Sequence, residues 1–243
     1  MSQTVLSLQG ATKRFGGLVA VNGIDFDVRQ GQVLGLIGPN GSGKSTVLNL
    51  ISGALGLTAG EISLRGAVIS GQRADKIARR GIARTFQLVR LLPGMNVEQN
   101  IIAGAVFGHR RRWGASARQE AIRLAKRVGL DGKGPMAVGQ LTYIDTKRVE
   151  LARALASDPK LLLLDEWLAG LNPTELQVGI ALIQSLREEG RTIVLVEHVM
   201  DAIRSLCDRC VVMSSGDKIA EGTPDAVLSD PEVIRAYLGD ADA

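Results

Sequence analysis

An α/β fold, with a mostly parallel sheet, an antiparallel β layer at the start of the chain and an inserted helical block, is predicted by three observations. The run VLGLIG at 33–38 passes directly into GPNGSGKST and on into STVLNLISG: a strand, a glycine loop and a helix in succession. The apolar runs LLLLD at 161–165 and TIVLVE at 192–197 suit central parallel strands buried on both faces. Between these groups, from about residue 88 to 160, the apolar spacing becomes helical, so strands and helices alternate around an insertion.

The elements follow in order. VLSLQG and IDFDVRQG read as strands bounded by glycine turns, with Ile24, Phe26 and Val28 on one face. After the glycine loop, Val47, Leu48 and Ile51 repeat at helical spacing. EISLRG is a short strand, and IARTF is another that runs up to the polar Gln87. NVEQNIIAGA is the first helix of the insertion. SARQEAIRLAKRVGL is the second, with Ala121, Ile122, Leu124, Ala125 and Val128 as its expected apolar face. The third starts at Thr142 and stops near Asp158-Pro159. RCVVM is a late strand, and the Ser-Gly-Asp turn at 215–217 predicts a closing hairpin. Two proline-started segments, PDAVLS and PEVIRAYLG, end the chain. The domain reading is one unit over 1–243: an α/β core from 1–87 and 161–243, with a helical subdomain at 88–160.

Composition narrows the function. The 243 residues are 45% hydrophobic, enough for a sizeable core. Lys and Arg number 29 against 25 Asp and Glu, a formal charge of +4, weaker than a dedicated nucleic-acid binder usually carries. No apolar run approaches the roughly 18 residues of a membrane span. MSQTVLSLQG lacks the pattern of a secretory signal, so an intracellular, soluble protein is expected. The two cysteines, Cys207 and Cys210, form a CxxC, but a zinc site needs four ligands and the pair runs from a helix into a strand. Two small buried thiols are expected.

The chemistry begins at Gly38-Pro39-Asn40-Gly41-Ser42-Gly43-Lys44-Ser45-Thr46, which fits G-x-x-x-x-G-K-[ST]. Its glycines let backbone N–H groups face a phosphate, and the following helix start adds partial positive charge. Lys44 can reach the β- and γ-phosphates of a nucleotide, and the Ser45 hydroxyl can bind Mg²⁺. Chance produces this pattern on the order of once in a hundred chains of this length. Asp165 ends the LLLLD strand on the side where ligands bind in such sheets, and would hold Mg²⁺. Glu166 would polarise the attacking water. His198 follows the TIVLVE strand and could bond the γ-phosphate; a lone histidine is otherwise more often structural. Gln87 ends its strand in the same way.

These motifs, in this order and rough spacing over nearly the whole chain, resemble an ATP-binding cassette (ABC) ATPase, with a P-loop NTPase (RecA-like) core. The resemblance implies ATP and Mg²⁺ as ligands and assigns Phe15, in KRFGG, to stacking on adenine. It places Gln87 at the γ-phosphate and the metal. GIARTFQLVRLLPGMNVEQNIIAG, LAGLNPTE and GTPDAVLSDPEVIRAYLG are similar to the ATPase subunits of branched-chain amino acid importers. The implied partners are a second ABC ATPase subunit, identical or related, integral membrane permease subunits and, indirectly, a solute-binding protein, with no nucleic acid. The implied location is cytoplasmic, peripheral to the inner face of the cell membrane. Soluble ABC ATPases acting on DNA or ribosomes are a second reading, and a regulatory subunit with little turnover a third.

In this family each nucleotide lies between the phosphate loop of one subunit and a helix start of the other, typically LSGGQ. The matching residues are Leu141-Thr142-Tyr143-Ile144-Asp145. Thr142 keeps the hydroxyl, Ile144 replaces a glycine and Asp145 replaces glutamine. Thr-x-x-Asp is also a capping-box pattern, which predicts an intact helix start. An altered but working site is expected. Trp167 stands where the family usually has proline, and Asn172-Pro173-Thr174-Glu175 reads as a capped helix start. The basic run His109–Trp113 is expected to be a solvated loop, with contact to a membrane subunit or lipid as the sharper alternative.

Overall fold

The structure, a computed structural model, describes residues 3–238. The first two residues of MSQTVLSLQG and Gly239, which closes PEVIRAYLG, lie outside the described residues. Two long strands, β1 (Thr4–Phe15) and β2 (Leu18–Arg29), pair antiparallel, as the alternating segments predict. Ile24, Phe26 and Val28 are all buried. With β4 (Ala59–Leu64) and β5 (Ala67–Val68) they form a four-stranded antiparallel sheet in the order β2-β1-β4-β5.

The second sheet has six strands. β3 (Val33–Ile37), β6 (Ile82–Arg84), β7 (Leu161–Asp165), β8 (Ile193–Val196) and β9 (Arg209–Ser214) are parallel. β10 (Asp217–Gly222) pairs antiparallel with β9 through the predicted turn, giving the order β10-β9-β3-β8-β7-β6. IARTF is shorter as a strand than its sequence suggests, because β6 stops at Arg84. β3, β7 and β8 are buried at every position. Leu34, Leu36, Leu161, Leu163, Val194 and Val196 face the antiparallel layer, while Ile37, Leu162, Leu164, Ile193 and Leu195 face the helices. This two-sided burial explains why the runs are apolar without alternation.

α1 (Lys44–Ile51) leaves the glycine loop, and α2 (Ala74–Arg80) precedes β6. The insertion holds α3 (Val97–Phe107), α4 (Gly114–Arg127) and α5 (Tyr143–Ala156), packed on one another. In α4 the buried stripe is Ala117, Ala121, Leu124 and Ala125; Ile122 is exposed, a correction to the expected face. It sits one residue, about 100°, around the helix from Ala121, outside that narrow stripe. α6 (Pro173–Glu188) opens with the predicted capping box, Asn172 with Glu175. α7 (Met200–Leu206), α8 (Pro224–Leu228) and α9 (Pro231–Leu238) complete the chain. Cys207 and Cys210 are free and buried, side by side behind Gly35 of β3. A Cβ on Gly35 would lie 2.9–3.0 Å from both sulfurs, so a side chain there would force the thiols to shift.

Candidate nucleotide site

β3, β7 and β8 lie side by side in the sheet. The loops that follow them therefore emerge together at the carboxyl edge, the ligand-binding side of a parallel sheet. The β3 loop is the glycine loop. Gly38, Gly41 and Gly43 all have positive φ. A Cβ on Gly38 would sit 2.1 Å from the Met213 carbonyl, and one on Gly43 2.5 Å from that of Ala20. The loop is thus pinned between β9 and β2 in a shape that only glycine permits.

A cavity of about 650 Å³ opens on this loop. Its walls include Phe15, Asn40, Gly41, Gly43, Lys44, Ser45, Thr46, Gln87 and Glu166. Three hydrophobic strand residues, Leu18, Val19 and Ala20, and the turn residues Ser215 and Gly216 also contribute, none of them assigned to the site from sequence. Phe15 is half exposed at its rim, with the Lys13 ammonium 5.0 Å from the ring centroid. Lys44 donates to the carbonyls of Gly38 and Pro39, each at 2.8 Å. Burial pushes its pKa down, opposed by Glu166 and Asp165. Ser42, inside the loop, is buried with its hydroxyl unpartnered. Gly38, Ser42, Asp165 and His198 lie behind or beside the cavity rather than in its walls.

Glu166 gathers the residues that sequence could only order. Its Oε1 accepts from His198 Nε2 at 2.8 Å, and its Oε2 accepts from Gln87 Nε2 at 2.7 Å. The backbone at Glu166 is left-handed, φ 48°, and its N–H extends the ladder to the Val196 carbonyl at 2.9 Å. Such a conformation costs a non-glycine residue about 1–2 kcal/mol and persists only where its surroundings enforce it.

Asp165 is buried. Its Oδ2 meets Arg84 Nη2 at 2.6 Å, while Oδ1 has no partner. Arg84 also donates to Asn49 Oδ1 at 2.6 Å, tying β6, α1 and β7 together. A free buried carboxylate oxygen and the exposed Ser45 hydroxyl are oxygen donors, the set that suits a hard divalent cation. The residues fit Mg²⁺ in that respect.

Thr142 lies elsewhere, exposed at the start of α5. Its Oγ1 accepts from the Asp145 N–H at 3.3 Å, so the predicted N-cap forms. The reciprocal half of the capping box does not. The Asp145 carboxylate turns inward to Lys133 at 2.5 Å and Arg148 at 3.3 Å. Burial raises its pKa, but Lys133, Thr142 and Arg148 together bring it below the ordinary carboxylate value. Ile144 is half buried and lines a cavity of about 170 Å³ with Arg148, Trp167 and Gly179. Two departures from the family pattern, at 144 and 167, therefore meet in one place.

Three further polar residues brace the site, and sequence reading missed them. Lys147 of α5 is buried and donates to the carbonyls of Glu166, Trp167 and Ala169. Glu150, also on α5, accepts from the N–H groups of Phe86 at 3.1 Å and Arg90 at 2.8 Å, bracketing Gln87. Glu197 accepts from the Leu168 N–H at 2.7 Å, and burial pushes its carboxyl up to about 7. Three residues of the basic run have partners within the chain, while Arg111 and Trp113 are exposed. Arg110 pairs with Asp158 at 3.3 Å, Arg112 with Glu120 at 3.0 Å, and His109 bonds the Arg79 carbonyl.

Comparison with known proteins identifies the family. Residues 21–169 match the ABC transporter family model, and residues 218–243 match that of the branched-chain amino acid ATP-binding cassette transporter. The high-affinity branched-chain amino acid transport ATP-binding protein BraF of Pseudomonas aeruginosa is 40% identical, covering 99% of this chain and all of that one. The crystal structure of the ADP conformation of MJ1267, an ATP-binding cassette of an ABC transporter, superposes with a TM-score of 0.88 at 30% identity, over 98% of this chain and all of the other. A dimeric post-hydrolysis state of the ATP-binding cassette MJ0796, bound to ADP and Pi, gives 0.82 at 25% identity over 90% and 98%. With a phosphate loop, an acid at the adjacent strand end and this kinship along almost its full length, the chain belongs to the ABC transporter family as an ATP-binding cassette ATPase.

Proposed function

We propose that this ATPase powers a membrane importer for branched-chain amino acids or similar small solutes. It works at the inner face of the cell membrane, peripheral to integral permease subunits that a solute-binding protein supplies. The observation that carries the chemistry is Glu166 held between His198 and Gln87 at the wall of the phosphate-loop cavity. Kinship with BraF supports the solute class. No helix among the described residues is long and apolar enough to cross a membrane, so solute passage falls to the partner subunits.

Phe15 stacks on adenine, and the loop from Gly38 to Thr46, with Asn40, Gly41, Ser42, Gly43, Lys44 and Ser45, cradles the phosphates. Lys44 exchanges the Gly38 and Pro39 carbonyls for phosphate oxygens. Ser45, Asp165 and Gln87 would hold Mg²⁺, which would supply charge neutralisation to the phosphates. Glu166 accepts a proton from the attacking water. His198 fixes the Glu166 carboxylate and bonds the γ-phosphate, and Gln87 reports its presence to the loop that Glu150 holds. Thr142 and the first turn of α5 complete the nucleotide site of a second cassette, where a helix start favours negative charge.

An open, largely apolar groove of about 320 Å³ runs between the α/β core (1–87 and 161–243) and the helical subdomain (88–160), lined by Ala83, Phe86, Ala103, Gly104 and Phe107. Phe107 is 70% exposed. Phe86 adjoins Gln87, so a permease helix seated here would touch the same loop as the nucleotide. Glu166→Gln tests the reading: ATP binding is retained, hydrolysis is lost and branched-chain amino acid uptake by the reconstituted transporter stops. Hydrolysis at the parent rate would remove Glu166 from its role.

A further inference from the structure

Lys147 is among the largest fully buried side chains of the protein, with 1% of its surface exposed. A buried ammonium is costly unless its donors are satisfied. Here all three are used on one turn. They go to the carbonyls of Glu166 at 3.1 Å, Trp167 at 3.0 Å and Ala169 at 2.8 Å. The ammonium lies over the ring of the exposed Tyr143, 5.1 Å from its centroid. The contact is reciprocal, because Trp167 Nε1 donates to the Lys147 carbonyl at 3.1 Å. α6 makes room for the indole with Gly179, where a Cβ would approach Leu168 Cδ2 to 2.6 Å and Trp167 Cζ3 to 3.2 Å.

These contacts converge on the backbone that carries Glu166. A left-handed residue needs an external constraint, and the carbonyls of Glu166 and its successors are turned onto one cation. We infer that Lys147, clasped by Trp167, is a positioning residue for Glu166: its ammonium holds the 166–169 turn in the conformation that presents the carboxylate to His198 and Gln87. The inference rests on the assignment of Glu166 as the group that accepts the proton from water. Lys147 does not line the nucleotide cavity. Its loss therefore lowers the catalytic step and leaves ATP binding alone.

The test compares Lys147→Met and Trp167→Phe with the parent chain, measuring kcat and KM for ATP, nucleotide affinity and thermal melting. Lys147→Met keeps the stem and removes the donors, and Trp167→Phe removes one donor. A displacement of about 1 Å in a reacting group can cost on the order of a hundredfold in rate. The expected result is a fall in kcat of roughly ten- to a hundredfold for Lys147→Met and a smaller fall for Trp167→Phe, with KM and ATP affinity within about twofold of the parent. A parent kcat in folded Lys147→Met overturns the inference, as does a loss that only tracks the fraction folded. If Lys147→Met does not fold, Trp167→Phe decides alone, and a parent kcat there overturns it. Glu166→Gln run alongside separates the two claims. Full turnover in that variant sinks the role of Glu166 itself, whereas no turnover there with normal Lys147→Met sinks only the positioning role.

Discussion

Arg84 and Asp165 form a buried ion pair across neighbouring strands, Nη2 to Oδ2 at 2.6 Å, with both side chains less than a tenth exposed. The pair fixes one carboxylate oxygen and leaves the other, Oδ1, without a partner. Removing one member of such a pair strands a charge in the interior. Arg84→Met is expected to destabilise the chain by about 3–5 kcal/mol in urea denaturation. Asp165→Asn, which keeps a hydrogen-bond acceptor toward Arg84, is expected to cost less and to abolish Mg²⁺-dependent ATP hydrolysis.

Glu197 gives the protein a pH dependence near neutrality. Its carboxyl is raised by burial from 4.5 to about 7, against the pull of the Leu168 N–H and of Lys147, with Glu166 adding to the rise. The folded chain therefore keeps this proton to a higher pH than the unfolded chain. The stability this group contributes is full below about pH 4.5, falls as pH rises toward 7, and is lost above. The whole effect is roughly 3 kcal/mol. Glu197→Gln, which still accepts from Leu168, should flatten the melting temperature between pH 5 and 8 and exceed the parent at pH 8.

Ile144→Gly restores the family residue but removes part of the wall of the cavity beside Trp167 and so enlarges it. A glycine in the first turn also lowers helix propensity by about 1 kcal/mol. The expected result is a loss of about 1–2 kcal/mol in chemical denaturation. If Ile144 hinders the second cassette, the ATPase rate rises despite that loss; an unchanged rate means that the first-turn N–H groups, with Thr142, suffice.

Neutralising Arg110 and Arg112 by glutamine breaks the pairs with Asp158 and Glu120. Both are partly exposed, so a loss of about 1 kcal/mol or less is expected. Co-purification with permease subunits should be unchanged. A loss of membrane recruitment would return the basic run to the interface.

Much of the fold was legible because its signals are local. Apolar runs without alternation gave β7 and β8, and the glycine loop carries its own context of strand and helix. Asp165, Glu166, His198 and Gln87 could be ordered from sequence because each follows a strand, yet only the sheet order explains why they meet. The braces were hidden because their partners are distant: Arg84 and Asp165 are 81 residues apart, and Glu150 and Phe86 are 64 apart. One signal was present. Lys147 falls on the stripe of Ile144, Leu151 and Ala154, where helical spacing calls for an apolar residue. A lysine there needs a nest of acceptors. The capping box at Thr142 failed for a related reason, since Lys133 and Arg148 offered Asp145 charged partners stronger than a backbone N–H.

The thiol pair behind Gly35 has a practical consequence. Cys207 and Cys210 are the only cysteines of the chain, and both are sealed in the core. Maleimide and nitroxide reagents meet no native target on the folded surface. A single engineered handle such as Ser116→Cys, on the exposed side of α4, would then carry the whole label. Spectroscopic rulers could then test whether the proposed second cassette approaches and parts from this one as ATP is added, without first stripping the protein of its own sulfur.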